Sequence, residues 1–171
     1  MALVRTALTT LNSTTGVTSY NNLANSLTAV ASSAAVTVGA TTNIADHEVV
    51  VTITGPATMT ASASTLVLLY AYASNDGTIW SGSGTTNELI DGADKPITWS
   101  ANGNQAVPLG SIGLTTTTAG TSVVYRSKRI SMAAAFGGTL PAKYVILIQN
   151  QSSGALAGSG NSVAINELSY S

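Results

Sequence analysis

Alternation of apolar and polar residues with a period of two limits the fold of this chain more than any other feature. In residues 48–54, Val49, Val51 and Ile53 fall on one side of an extended chain, and polar residues fall mostly on the other. β-branched residues at this period are typical of a half-buried strand. The Gly55-Pro56 pair that follows predicts the end of that strand.

Further strands are predicted at residues 65–74, 96–100, 105–112, 122–132, 143–150 and 162–169. The segment 65–74 is apolar on both faces, which favours a central strand. A buried helix is the alternative, but the two tyrosines spaced by two residues favour the strand. Asp76-Gly77 predicts a type I′ hairpin turn, after which the chain returns through residues 78–80. Residues 133–138 are small and predict a turn region or a single helical turn.

Strands at this spacing, joined by glycine-rich turns and without a long helix, predict an all-β fold: an antiparallel, jelly-roll-like β-sandwich. We assign residues 40–171 to this sandwich and residues 1–39 to an extended N-terminal arm, because strong strand patterns begin only after Gly39. Within the arm, residues 3–9 predict a strand and residues 21–31 a short helix. Its apolar side chains are the predicted attachment residues: Leu3, Val4, Leu8, Leu11, Leu23 and Leu27.

Charged residues make up only 8% of the chain, against about 25% in an average domain. Ser, Thr, Asn and Gly must therefore supply most of the surface polarity, which suits a protein that packs against other proteins and predicts a homo-oligomer. Six basic and seven acidic residues leave no basic footprint for nucleic acid. The densest basic stretch holds Arg126, Lys128 and Arg129. The preferred interpretation of this stretch is a solvated strand face, and the alternative is a further attachment surface.

Several classes of function lack the residues they need. The chain has no cysteine and one histidine, His47, which alternation places on the strand face opposite Asp46 and Glu48. Glu88, Asp91 and Asp94 miss the spacing of an EF-hand calcium loop. No nucleophile elbow or nucleotide-binding motif is recognised. The sequence therefore predicts no enzyme, no catalytic, cofactor or metal residues, and no small-molecule substrate.

Two further features bear on location and on an alternative role. Polar residues interrupt the N-terminal segment before the apolar region of a secretory signal could form. The longest nearly apolar stretch, 66–73, is far too short to span a membrane. Synthesis in a cytoplasm, with no membrane partner, is therefore expected. Trp80 and Trp99 could stack on sugar rings, although packing in the core or at an interface is the commoner use of isolated tryptophans.

Three segments, 69–78, 134–144 and 150–156, resemble small virion structural proteins of tailed bacteriophages. They read LYAYASNDGT, AAFGGTLPAKY and NQSSGAL, and the likeness extends over roughly residues 45–160. The resemblance implies a head decoration (cement) protein on the outer capsid surface of the virion, made in the host cytoplasm. Such a protein would be a homotrimer that stabilises contacts between subunits of the major capsid protein. A tail or fibre component, including a glycan-binding receptor module, is the alternative, and a carbohydrate-active enzyme ranks below both.

Overall fold

The structure, a computed structural model, describes residues 3–5, 9–12, 14–39, 43–57, 59, 65–78, 80, 90–98, 105–115 and 122–170. Two antiparallel sheets face each other, as the all-β sandwich prediction requires, and we call them sheets A and B. Within these residues, the helical turns are a 3₁₀ turn at Thr18–Tyr20 and α1 at Met132–Ala135. The jelly-roll form of the sandwich stays a prediction.

Sheet A has two long central strands, β5 (Ile44–Thr54) and β12 (Ser162–Tyr170), which pair with each other. On one side of them, β1 (Leu3–Arg5) and β2 (Thr9–Asn12) both pair with β12. On the other side, β9 (Val124–Arg126) and β10 (Ile130–Ser131) both pair with β5. Each edge of sheet A therefore consists of two short strands in line.

Sheet B runs in the order β7 (Lys95–Thr98), β3 (Ala29–Ser32), β11 (Lys143–Gln151), β6 (Leu66–Ser74) and β8 (Val107–Gly113). A two-residue strand, β4 (Val36–Thr37), extends the line of β3 along β11. The long pairing of β11 with β6 forms the centre of this sheet. The predicted strands 65–74, 143–150 and 162–169 are confirmed almost to the residue.

The main core lies between the sheets. The alternating residues Val49, Val51 and Ile53 are all fully buried there, which confirms the predicted inward face of β5. A second, smaller apolar cluster lies on the other side of sheet B, where Trp80 and Ile90 pack among β3, β6, β7 and β11 residues. This cluster explains why β6 and β11 are apolar on both faces, since both of their faces are covered.

Residues 14–39 are built into the sandwich, which differs from the expectation of an arm extending from it. Val17 and Tyr20 are fully buried in the main core, and the Tyr20 hydroxyl donates to the carbonyl of Ile146 at 2.8 Å. β3 lies between β7 and β11 rather than at a sheet edge. The segment fits there because β11 needs a partner on the side away from β6.

The short helix predicted at residues 21–31 is absent, and β3 begins within its last three residues. Asn22 adopts a left-handed backbone conformation, with φ of 55°, which interrupts any helix at the outset. Asn150, from β11, then donates a side-chain hydrogen bond to the carbonyl of Leu23 at 2.8 Å. These contacts with β11 override the local apolar period.

Two further strand predictions are corrected. The predicted hairpin does not form, because both sides of β6 are taken by β8 and β11, and Asp76 lacks the positive φ that a type I′ turn requires. Asp76 instead accepts a hydrogen bond from the backbone N–H of Thr78. The predicted strand 122–132 is divided into β9, β10 and the start of α1. The break occurs at Ser127, whose hydroxyl accepts from Val51 N–H and donates to the carbonyl of Lys128.

Candidate partner-binding surface

The solvent-facing side of sheet A brings together several of the sequence-predicted binding residues, among them Leu3, Arg126 and Arg129. In the β5–β12 register, Glu48 lies opposite Asn166, Val50 opposite Ala164 and Thr52 opposite Ser162. The residues between these pairs point into the core and are buried. We call this side the outer A face; it comprises Leu3, Arg5, Thr10, Glu48, Val50, Thr52, Arg126, Arg129, Ser162, Ala164, Asn166 and Tyr170.

An ion-pair cluster crosses the outer A face from edge to edge. Glu48, on the central strand β5, contacts Arg5 of β1 through Oε1 at 2.9 Å and Arg129 through Oε2 at 3.2 Å. The Glu48 side chain is 19% exposed, whereas those of Arg5 and Arg129 are about half exposed. Solvent screening keeps the contribution of such pairs to folding small. Their main effect is to hold two guanidinium groups in place along an otherwise low-charge sheet.

A shallow groove of about 340 Å³ lies beside this cluster. Its floor is formed by small residues of β5 and β12, and Arg126 and Arg129 are its charged lining residues. Hydroxyl and amide groups from Thr10, Thr52 and Asn166 supply the remaining polarity. The groove therefore presents a flat, hydrogen-bonding floor with positive charge on one side.

Apolar side chains are exposed at the β1 edge of the same face. Leu3 and Tyr170 are register partners, and their side chains are 58% and 47% exposed. Val4, whose side chain points to the opposite face of β1, is also exposed. Exposed apolar residues on an edge strand are a common site of contact with another chain.

The structure divides the sequence-predicted attachment residues into three groups. Leu3, Val4, Arg126, Lys128 and Arg129 are exposed on sheet A or along its edges. Two residues serve the interior: Leu23 is buried in the main core and Leu11 is partly buried against it. Leu27 is 74% exposed but lies just before β3 of sheet B, and Leu8 is outside the described residues.

Sequence reasoning missed the part that Arg5 and Glu48 play in this surface. The available signal was the alternation of β5, which places Glu48 on the solvent side. Its two arginine partners could not be identified, because they lie 43 and 81 residues away along the chain. Asp46, on the same side of β5, accepts a hydrogen bond from the backbone N–H of Ala133 at 2.7 Å and so anchors the start of α1.

His47 points into the sandwich, opposite Asp46 and Glu48 as predicted, and is 1% exposed. Its Nδ1 is 2.9 Å from the hydroxyl of Tyr144 on sheet B, and its Nε2 is 3.7 Å from a carboxylate oxygen of Glu167. Burial lowers the pKa of His47, and the nearby charges of Glu167 and Asp46 oppose that shift. Burial also raises the pKa of Tyr144 far above its ordinary value, so this hydroxyl stays protonated.

The two described carboxylates of the acidic loop have structural partners. Asp91 pairs with Lys95 at 2.8 Å and accepts from Ala93 N–H. Asp94 accepts from the N–H groups of Thr18 and Ser19, holding the 3₁₀ turn. Burial alone would raise the pKa of Asp94, but these hydrogen bonds lower it below its usual value. Glu88 lies outside the described residues, among which no three metal-ligating side chains are grouped.

Trp80 is 7% exposed and packs in the cluster that covers sheet B, so its ring is not presented for stacking on a sugar. Trp99 lies outside the described residues. The burial of Trp80 removes one of the two aromatic side chains on which the glycan-binding alternative depended.

No protein-family model matches the chain, and no curated protein matches it in sequence. Within the part of the chain that the structure describes, there is no helix with the length and apolar character needed to cross a membrane.

Proposed function

We propose that the protein is a structural component of a tailed-phage virion that binds the outer surface of the head and stabilises contacts between major capsid protein subunits. The observation that carries the proposal is the outer A face. It places exposed apolar residues of β1 and β12, an ordered arginine–glutamate cluster and a hydroxyl-lined groove on one side of a rigid sheet.

The composition of this face supports attachment to a protein surface. Hydroxyl and amide groups can exchange water for a neighbour's polar groups at lower cost than charges can. The arginines provide directional contacts that a sheet of Ser and Thr alone would lack. The chain's likeness to virion proteins supports a capsid as the neighbour, and the homotrimer remains part of the proposal.

The mechanism would be linkage rather than chemistry. A protein that binds only the assembled shell stabilises that shell by the free energy of binding, and many copies multiply the effect. Decoration therefore predicts a copy number per virion comparable to that of the major capsid protein. A copy number typical of a neck or tail component would contradict it.

The direct test measures binding of the purified protein to capsids of its own virion from which it has been stripped. We expect the double variant Arg126→Ser, Arg129→Ser to bind at least tenfold more weakly, a loss of about 1.4 kcal/mol or more. The variant Thr98→Glu, Ser153→Glu is the matched control. It makes the same change in net charge at exposed positions outside the outer A face.

The comparison separates a local contact from a general effect of charge. Equal weakening in both variants would indicate bulk electrostatics, and unchanged binding in both would remove the outer A face as the attachment surface. Far-ultraviolet circular dichroism and thermal melts of both variants should match those of the parent protein, because all four side chains are exposed.

A further inference from the structure

His47 is the single histidine of the chain and forms a polar link between the two sheets. It projects from β5 of sheet A, and its Nδ1 contacts the hydroxyl of Tyr144 on β11 of sheet B at 2.9 Å. Both side chains are almost completely buried. A hydrogen bond that joins two sheets in the interior is stronger, and more costly to disturb, than one in water.

The proton arrangement of this link follows from its partners. Among the described residues, His47 is the hydrogen-bond partner of the Tyr144 hydroxyl, and that hydroxyl stays protonated. The hydroxyl therefore donates to Nδ1, which leaves the neutral imidazole with its own proton on Nε2. Nε2 has no hydrogen-bond partner, although it is buried. It faces a cavity of about 250 Å³ whose lining includes Glu167.

The charges around the imidazole are unequal on its two sides. A carboxylate oxygen of Glu167, on β12, lies 3.7 Å from Nε2. The other nearby negative charge is the carboxylate of Asp46, which precedes His47 on β5. From β11, the titratable group is the neutral Tyr144. The remaining cavity residues, on β2, β4, β12 and the segment before β4, carry no charge: Thr9, Leu11, Ala35, Val36, Thr37 and Ile165.

We propose that His47, Tyr144 and Glu167 form an acid-sensitive latch that holds the two sheets together at the β2–β4 side of the sandwich. Protonation places a second N–H on Nδ1, which can no longer accept from the Tyr144 hydroxyl. The phenolic proton then loses its acceptor inside the core. On the other side, the new positive charge draws the carboxylate of Glu167 towards Nε2, across the cavity between β2 and β4.

The direction of the pH effect depends on whether His47 binds its proton more tightly in the folded or in the unfolded protein. Burial lowers the pKa of His47 in the folded protein, so the unfolded chain, with an ordinary value near 6.5, binds the proton more readily. Stability from this group is therefore fully present above about pH 6.5. It is lost as the pH falls from there towards the lower pKa of the folded state. Acidification thus weakens the latch.

A nuclear magnetic resonance titration of the imidazole tests the latch directly, and a single histidine makes its signals self-identifying. We expect the Nε2–H tautomer at pH 8 and a pKa below 6.5. The variant Glu167→Gln should lower that pKa further, because it removes the attracting charge. Tyr144→Phe should raise it, because the neutral imidazole loses its donor. A pKa of 6.5 or above, or the Nδ1–H tautomer, would overturn the proposal.

A thermal measurement covers the case in which the titration variants fold poorly. Between pH 7.5 and pH 5, the melting temperature of the parent protein should fall by several degrees more than that of His47→Asn. Asparagine can reach the Tyr144 hydroxyl as Nδ1 does but cannot ionise. Parallel melting curves for the two proteins would show that His47 does not sense acid. Neither readout requires a capsid, so the latch and the proposed function can fail independently.

Discussion

Deletion of residues 2–39 is expected to unfold the protein, because this segment carries the interior strand β3 and several core side chains. Val17, Tyr20 and Val30 are fully buried, and Leu23 and Val36 are nearly so. Burial of one such side chain contributes about 1.5–3 kcal/mol, so the five together contribute roughly 7–15 kcal/mol. That sum is comparable to the whole unfolding free energy of an ordinary domain, about 5–15 kcal/mol. Removal of β3 would also leave one side of β11 unpaired.

The assay is urea denaturation followed by tryptophan fluorescence and circular dichroism. The intact chain should show a cooperative transition, and the truncated chain should show none. A truncated chain that unfolds cooperatively, at a urea midpoint close to that of the intact protein, would refute the reasoning. It would mean that the segment is an addition to a sandwich that is complete without it.

Point variants at Tyr20 resolve the same prediction more finely. Tyr20→Ala should cost about 3–5 kcal/mol, as expected for truncation of a large buried ring. Tyr20→Phe should cost about 1 kcal/mol, because it removes the hydrogen bond to Ile146 while that carbonyl still accepts from Ser33 N–H. Leu27→Ala is the control from the same segment. Its side chain is 74% exposed, and the change should stay within about 0.5 kcal/mol.

Four further outcomes are expected from the contacts described above, the first three measured by urea denaturation. Gly92→Ala should destabilise by about 1–3 kcal/mol, because φ is +83° and an added Cβ would lie 2.9 Å from the Trp80 ring; no loss would mean that the ring moves aside. Asn150→Ala should cost more than about 2 kcal/mol, since its side chain makes three buried or partly buried hydrogen bonds. Glu48→Gln should cost about 1 kcal/mol or less, and a cost that persists in high salt would contradict the surface ion-pair account. EDTA should leave the melting temperature unchanged, and a large fall would indicate a metal site.

The parts of the fold that could be predicted are those in which a strand's own sequence records its environment. Val49, Val51 and Ile53 alternate because one face of β5 meets the core and the other meets water. Residues 66–74 are apolar throughout because the cluster around Trp80 covers the second face of β6. Burial imposes these patterns locally, so a single segment is enough to reveal them.

The errors arose where a distant partner decides the local structure. Residues 21–31 have an apolar spacing compatible with a helix, and only pairing with the free side of β11 makes residues 29–32 a strand. The chain does bend at Asp76-Gly77, but β6 takes β8 as its partner, and nothing in the bend encodes that choice. For the site, the sequence pointed to Arg126 and Arg129 by charge density. Glu48 could be recognised as the partner of Arg129 only after β5 and β10 were paired.

The arrangement of sheet A also has a consequence for how the protein folds. β12 pairs with β1 and β2, so Leu3 lies opposite Tyr170. Sheet A therefore depends on contacts between residues that are far apart in sequence. Loops this long close slowly, and folding rates fall as contacts become more distant in sequence. During synthesis, sheet A cannot be completed until β12 has emerged from the ribosome. Until then, β5 and the β1–β2 segment lack their common partner, and their exposed strand edges can pair with those of other nascent chains. Chaperone dependence and inclusion-body formation at high expression are the expected signs of this delay.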